Sequence, residues 1–213
     1  MKLLSVNVSK PIEIPYRGET LRTGIYKKPV PGRVMLRAFN LEGDGQADLT
    51  AHGGADKAVY AYPFEHYTAW ARELKRGDFA FGQFGENFTV AGLLEDQVGI
   101  GDVYRIGGAV VEVTQPRAPC YKLAHKMGLP NFVKTFTRSE RSGFYLRVLE
   151  EGEVEAGDAI ERLVAEPEQM SVQAVFHLLF FDKGNVAEAE RALRIPALAG
   201  AWREIIERMI LDQ

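Results

Sequence analysis

The sequence predicts a mainly β protein with helices, a β-barrel-like domain over residues 1–164 and a small three-helix appendage over 165–213. Three observations carry this. Short segments rich in β-branched and aromatic residues recur through the first part of the chain, separated by Gly, Pro and Asp. Few helical patterns lie between them, which favours an antiparallel barrel or sandwich. After Glu166-Pro167 the apolar residues change to helical spacing.

"LLSVNVS" at the N-terminal end alternates as a strand. Residues 10–24 contain Pro11, Pro15, Gly18 and Gly24 and read as loop. "GRVML" begins another strand, followed by a turn-rich stretch at 42–48, and "KAVYAYP" is a short strand ending at Pro63. Tyr67, Trp70, Ala71 and Leu74 share a helical face, with Gly77 as the expected stop. "NFTV" is a strand, and "DVYRIGGAVVEVTQP" a hairpin turning at Gly107-Gly108. "GFYLRVLEEG" and "DAIERLV" are further strands. In the tail, Ser171 is the expected N-cap of "VQAVFHLLFF" and Asn185 that of "VAEAERAL", with a third helix in "ALAGAWREIIERMI".

Length and composition fit one substantial core or a domain with an appendage: 213 residues, 46% hydrophobic and 26% charged. A net charge of −3 gives no global attraction to nucleic acid or anionic lipid, so any anion site must be local. A single cysteine excludes an internal disulfide framework. "MKLLSVNVSK" turns polar too early for a signal-peptide core, and "VQAVFHLLFF" is too short to span a bilayer. The expectation is a soluble cytoplasmic protein with no membrane or nucleic-acid partner.

That cysteine, Cys120, lies in "TQPRAPCYKL", residues 114–123. Two readings stand side by side. It is a small buried hydrophobe of no chemical role, or it is a reactive thiol. For the second, Pro119 suits the first position of a helix running to Gly128, which places Cys120 in the first turn, where the helix dipole favours thiolate. Arg117, Lys122, His125 and Lys126 add positive charge. A thiol held this way can attack, be oxidised or bind a soft metal. His66 and His177 fall in helical patterns and read as structural. His52 sits in "LTAHGGADKAV", where Gly53-Gly54 permits a backbone-lined anion pocket near Lys57 or simply a polar turn. No ligand pair at zinc spacing is present.

Several separated motifs resemble the MOSC-domain family, named for the C-terminal domain of molybdenum-cofactor sulfurase. They are "LRTGIYKKPV" (21–30), "GDGQADLTAHGGADKAVYAYP" (43–63), "FGENFTV" (84–90), "VGIGDVYRIGGAVVEVTQPRAPCYKL" (98–123) and "SGFYLRVLEEGEVEAGD" (142–158). The tail resembles the three-helix domain of the bacterial YiiM-type subgroup. The resemblance implies a MOSC β-barrel and a molybdenum cofactor (Mo-molybdopterin), with Cys120 as metal ligand and catalytic residue. It implies a cofactor pocket drawn from Lys27, His52, Gly53, Gly54, Asp56, Lys57, Glu86, Asn87, Gln115, Arg117 and Arg147. It also implies reduction of N-hydroxylated bases such as 6-hydroxylaminopurine. Thiolate softness suits molybdenum, and neighbouring cations suit an anionic cofactor.

No strand–GxGxxG–helix unit appears, so electrons are expected from a separate reductase. Two other functions remain: a carrier that binds the cofactor without turnover, and a sulfur carrier with a Cys120 persulfide. The second would need its sulfur from elsewhere, for lack of a pyridoxal-phosphate domain. The tail is expected to enclose substrate, dock the donor or form a homodimer contact, not to reach the metal.

Overall fold

The computed structural model describes residues 1–47 and 53–212. The chain enters through β1 (Lys2–Val8), the hairpin β2 (Ile12–Tyr16) and β3 (Glu19–Thr23), and the short strands β4 (Lys28–Pro29) and β5 (Val34–Leu36). A 3-10 turn at Ala55–Lys57 leads into β6 (Val59–Pro63), α1 (Glu65–Leu74) and β7 (Phe88–Ala91). The hairpin β8 (Val103–Ile106) and β9 (Ala109–Pro116) precedes α2 (Tyr121–Met127) and α3 (Phe132–Ser139). Then follow β10 (Phe144–Glu150), β11 (Gly152–Val154) and β12 (Ile160–Val164), and the helices α4 (Val172–Phe180), α5 (Val186–Leu193) and α6 (Gly200–Leu211).

Eight strands form one sheet in the order β12-β8-β9-β10-β6-β7-β1-β4. All its pairings are antiparallel except β6 with β7, which the α1 crossover makes parallel. The sheet curls until the N-terminal end of β1 meets the approach to β12. Leu3 N donates to the Asp158 carbonyl (2.9 Å) and Gly157 N to the Leu3 carbonyl (2.7 Å). A single bridge, Lys2 with Ala159, marks the seam. The expected mainly β architecture with a helical appendage is present, but no continuous ladder closes a barrel.

Local differences from the sequence expectation have physical reasons. Residues 10–24, expected as loop, contain the β2–β3 hairpin. Its turn is Arg17-Gly18, both at positive φ (53° and 83°), the torsions that a two-residue hairpin turn requires. Pro15 is tolerated because a two-stranded ribbon has outward N–H positions. Lys75, at φ 51°, ends α1 before Gly77 is reached. Helix α2 starts two residues later than expected: Cys120 is its N-cap in extended conformation and Tyr121 its first residue. Gly128 ends it in the left-handed region, as the sequence implied. Helix α3 and the short strands β4 and β11 carry too little periodicity to be read from sequence.

The tail helices form as expected. Ser171 Oγ accepts from Ala174 N, and Asn185 Oδ1 accepts from Glu188 N. They do not make a core of their own. Val172, Val175, Phe176 and Leu179 recur on one face of α4 and join the buried residues of the curled sheet in a single cluster. The backbone stitches the junction: Ile100 N donates to the Met170 carbonyl (3.0 Å), Val172 N to Val98 (2.8 Å) and Ala199 N to Thr114 (3.1 Å). A second, aromatic cluster on the other side unites Tyr62, Trp70, Phe84, Phe132 and Phe136 with Leu123 and Met127 of α2. That cluster fixes α2 and therefore Cys120.

Lys126 adds a polar clamp. Its Nζ donates to the carbonyls of Ile25 and Gly82, tying α2 to two loops. Burial pushes its pKa down to about 8, against the opposing pull of the Glu86 carboxylate. Gly82, at φ +82°, lets this loop pack, since a Cβ there would lie 2.6 Å from the Lys27 carbonyl.

Two outcomes are expected. Phe176→Ala, at a side chain with no exposed surface, should cost about 3–5 kcal/mol in urea unfolding of the whole chain. It should do so in a single transition, because tail and sheet share one core. Lys126 binds its proton less tightly when folded, so stability should rise as pH climbs through the window above its folded pKa. We expect a gain of about 1–2 kcal/mol between about pH 7.5 and 9.5. Lys126→Met should reduce that rise, leaving the part due to buried Lys27, measured by urea unfolding across the pH series.

Candidate functional site

A pocket opens where the end of β9, the start of α2, residues 23–27, residues 44–47 and the turn before β6 meet. Cys120, Arg117, Lys122, Lys27 and Lys57 line it, with Asp44, Asn87, Tyr60 and Tyr145. Among the described residues its lining carries four cations against one carboxylate, on a chain of net charge −3. The positive potential is therefore local.

Cys120 is half-buried at the mouth of α2. With only seven residues in this helix, its dipole adds at most about half a charge. Arg117 lies close enough to Cys120 for the two to interact electrostatically. Arg117 follows the last strand residue of β9 and is turned inward, 6% exposed. Its guanidinium stacks on Tyr60, 4.8 Å from the ring centroid. Its Nη1 is buried with no hydrogen-bond partner among the described residues. Lys122, 9% exposed, is buried as lysines rarely are.

Lys27 is held in an ion pair with Asp44, with Nζ 2.5 Å from Oδ1 and 2.6 Å from Oδ2. Burial still lowers its pKa, outweighing the attraction of Asp44. Asp44 in turn accepts from Asn87 Nδ2 (2.9 Å) and from Ser9 N (2.8 Å). Asn87 Oδ1 accepts from Tyr60 N (3.1 Å). One network thus fixes Lys27, Asp44 and Asn87 against strand β6.

The remaining sequence candidates are placed differently. Glu86 is fully buried behind the pocket. It accepts from Gly82 N (2.8 Å), Phe84 N (3.0 Å), Thr89 Oγ1 (2.9 Å) and the Tyr67 hydroxyl, so it organises the 82–86 turn. Burial raises its pKa, and these hydrogen bonds pull the other way. Asp56 and Arg147 pair with each other, Nε to Oδ1 at 2.9 Å, and Arg147 also holds Glu112 at 2.9 Å. Neither lines the pocket. On β10, Tyr145 and Arg147 share a face at strand spacing. Tyr145 reaches the pocket, and Arg147 instead latches the Ala55–Lys57 turn to the sheet. Thr114 Oγ1 reinforces the latch by donating to the Asp56 carbonyl (2.7 Å). Gly53 and Gly54 precede that turn, and Gly54 has the unusual torsion expected of the pair, φ 97°. Gln115 is buried beside the pocket, its Oε1 unpartnered among the described residues. His52 lies outside the described residues.

Asp44, Tyr60, Tyr145 and Lys122 were not among the expected site residues. Only the placement of Lys122 beside Cys120 gave a signal in sequence. Among the described residues no three His, Cys, Asp or Glu side chains converge to hold a metal by themselves. No helix among them is long and apolar enough to cross a membrane.

The MOSC domain model matches residues 48–161, and the model of the YiiM-like, 3-alpha helix domain matches 170–211. The chain is 47% identical to YflK of Bacillus subtilis (strain 168) over 201 residues, covering 94% of this chain and 90% of that protein. It is 35% identical over 149 residues to a protein named reductase from Gibberella moniliformis (strain M3125 / FGSC 7600). That match spans 68% of this chain and 26% of the fungal protein. The crystal structure of YiiM from Geobacillus stearothermophilus superposes with a TM-score of 0.84 at 36% identity, covering 98% of each chain. With family model, sequence and fold in agreement, the chain belongs to the MOSC-domain family, in the form that carries a YiiM-like three-helix domain after the MOSC domain.

Proposed function

We propose that this protein is a molybdenum-cofactor-dependent oxidoreductase that reduces N-hydroxylated compounds such as 6-hydroxylaminopurine, with Cys120 as the protein ligand to the metal. The observation that carries the reading is the pocket lining among the described residues: one thiol among four cations and a single carboxylate. A soft thiolate donor suits molybdenum. The excess positive charge, with an Arg117 Nη1 unpartnered among the described residues, suits a ligand bearing phosphate and dithiolene. Membership in the MOSC family supports the cofactor, and the resemblance to a protein named reductase supports the direction of chemistry.

When bound, the cofactor supplies a two-electron couple able to accept the oxygen of an N–O bond. Overall, R–NHOH takes up two electrons and two protons to give R–NH2 and water, the electrons coming from a separate reductase protein. The roles of this chain follow from its own geometry. Cys120 presents sulfur at a position held by the aromatic cluster under α2. Lys57 and Arg117 offer charge-assisted hydrogen bonds to anionic oxygen. Lys27 keeps its orientation through Asp44, and Asn87 keeps Asp44 in place. Arg147 and Asp56 act at one remove, by fixing the turn that carries Lys57. The tail helices act through the shared core and contribute nothing to the pocket lining.

The test is molybdenum analysis and turnover of protein made in cells that synthesise the cofactor. Wild type should carry about one molybdenum per chain at full loading and convert 6-hydroxylaminopurine to adenine when given a reductant. Cys120→Ser should fold normally, lose the metal and lose turnover, since a hydroxyl is a harder and poorer donor than a thiolate. Metal and activity retained in the serine variant would exclude the ligand role. Lys57→Ala should weaken cofactor retention by about 1.5–3 kcal/mol, the range for a charged hydrogen bond. Release rates across a salt series read this directly, and rates equal to wild type would remove Lys57 from the site.

A further inference from the structure

The cationic pocket is small for what its charge is suited to hold. As the described residues bound it, it encloses about 90 Å³. Sites for drug-sized ligands run to about 300–1,000 Å³, and a pterin bearing phosphate, dithiolene and metal is a ligand of that size. A wall must therefore give way before such an occupant enters. Arg117, Tyr60 and Asn87 stand on or beside strands of the large sheet, and α2 rests on the buried aromatic cluster. The lightly held wall is that of Thr23, Gly24 and Ile25, with Gly45 against it.

Thr23 ends β3, so this wall is the exit foot of the β2–β3 hairpin. The hairpin is a two-stranded sheet of its own. Among the described residues no backbone hydrogen bond ties residues 12–22 to the rest of the chain. Its apolar side chains Ile12, Ile14, Tyr16 and Leu21 join neither core cluster, and none is fully buried. A two-stranded ribbon alone is marginal in water, and few buried apolar contacts mean a low free energy of local opening.

Two feet and one latch hold the ribbon. At the entry foot Ser9 N donates to Asp44 Oδ1 (2.8 Å), and Gly45 N donates to the Ser9 carbonyl (3.0 Å). Gly45 is clasped between the feet. A Cβ on it would lie 2.6 Å from Pro11 Cδ, and a Cβ on Gly24 would lie 2.6 Å from the Gly45 carbonyl oxygen. At the exit foot Lys126 Nζ pins the Ile25 carbonyl (2.8 Å). The latch is at the tip. Tyr16, the last residue of β2, sets its ring 4.9 Å from that of Tyr121 and meets His125 edge-on at 5.7 Å. Tyr121 follows Cys120 directly. The ribbon thus runs from a wall of the pocket that Cys120 lines to the outer face of the helix that Cys120 caps.

We infer that the β2–β3 hairpin is a strap across this pocket, latched by Tyr16 and lifted about its two feet when that ring leaves α2. Lifting carries Thr23 and Gly24 away from the pocket and opens it to an occupant that the closed form is too small to admit. The inference concerns entry. It holds for any occupant above that size and stands whether or not the protein is a reductase.

Cys120, the one cysteine of the chain, reports opening without any cofactor. Full-length protein made in cells that lack the cofactor is alkylated in parallel with bulky fluorescein maleimide and with small N-ethylmaleimide. Tyr16→Ala should speed the bulky reagent about three- to ten-fold, the worth of one aromatic pair in a two-state opening. The same variant should leave the small reagent within about two-fold of wild type, and Tyr16→Phe, which keeps the ring contact, should track wild type with both. A change in the reactivity of the thiol itself moves both reagents together, so equal acceleration of the two would overturn the strap. So would a bulky-reagent rate unaltered in Tyr16→Ala. Amide hydrogen exchange of the wild type tests the same point without a variant. The amides that pair β2 with β3 should exchange together and faster than those of β9. Protection equal to that of β9 would overturn the inference.

Discussion

Positive charge gathered around one sulfur is the constraint to which the rest of the molecule answers. Arg117, Lys122, Lys27 and Lys57 line a single pocket with Cys120, and among the described lining residues Asp44 is the carboxylate that faces them. Burying cations is costly unless each is paired or stacked. The chain meets part of that cost internally. Lys27 takes the Asp44 carboxylate. The Arg117 guanidinium lies over the electron-rich face of Tyr60. Lys126, one layer behind, gives its proton donors to two backbone carbonyls. Among the described residues the lining keeps more cations than carboxylates, which fits the anionic occupant proposed for it.

Such a cavity needs stiff walls, and the buried and half-buried polar groups behind it supply them. Glu86 gathers the donors of the 82–86 turn, Asn87 bridges Asp44 and the β6 backbone, and Arg147 clamps Asp56 against Glu112. None of these needs to touch a ligand in order to shape the site. Losing one partner would leave a buried charge or dipole unmatched, which costs more than the hydrogen bond itself. The same economy explains why the three-helix tail is inseparable from the sheet. Its apolar faces complete the sheet's own core, and the Ala199 N–H meets the Thr114 carbonyl on the strand that leads to Cys120.

The aromatic residues divide into two populations by depth. Tyr62, Trp70, Phe84 and Phe136 are buried and set the height of α2 above the sheet. Tyr16, Tyr121 and His125 are carried on the outer side of that helix and on the hairpin that folds over it. One seven-residue helix therefore carries the proposed metal-ligating thiol, and its position is controlled from below by packing.

The sequence by itself determined the mainly β character, the break near Glu166, the Ser171 and Asn185 caps, the Gly107-Gly108 hairpin and the prominence of Cys120. Each depends on local torsion preference or on side-chain period, which a short window of residues already contains. Lys27, Asn87, Lys57 and Arg117 were expected at a site through motif resemblance, and the fold brings all four into the lining of one pocket. Tertiary structure alone decided the rest. Asp44, Tyr60 and Tyr145 reach the site because curling of the sheet brings distant segments together, and no local pattern encodes that approach. Asp56 and Arg147 are 91 residues apart and choose each other. Either alone would be a credible ligand for an anion or a cation, and only their mutual distance shows that their charge is already spent. The hairpin over residues 10–24 was hidden for a related reason. Its prolines and glycines are loop signals locally, and a ribbon with open edges is the one strand setting that accepts them.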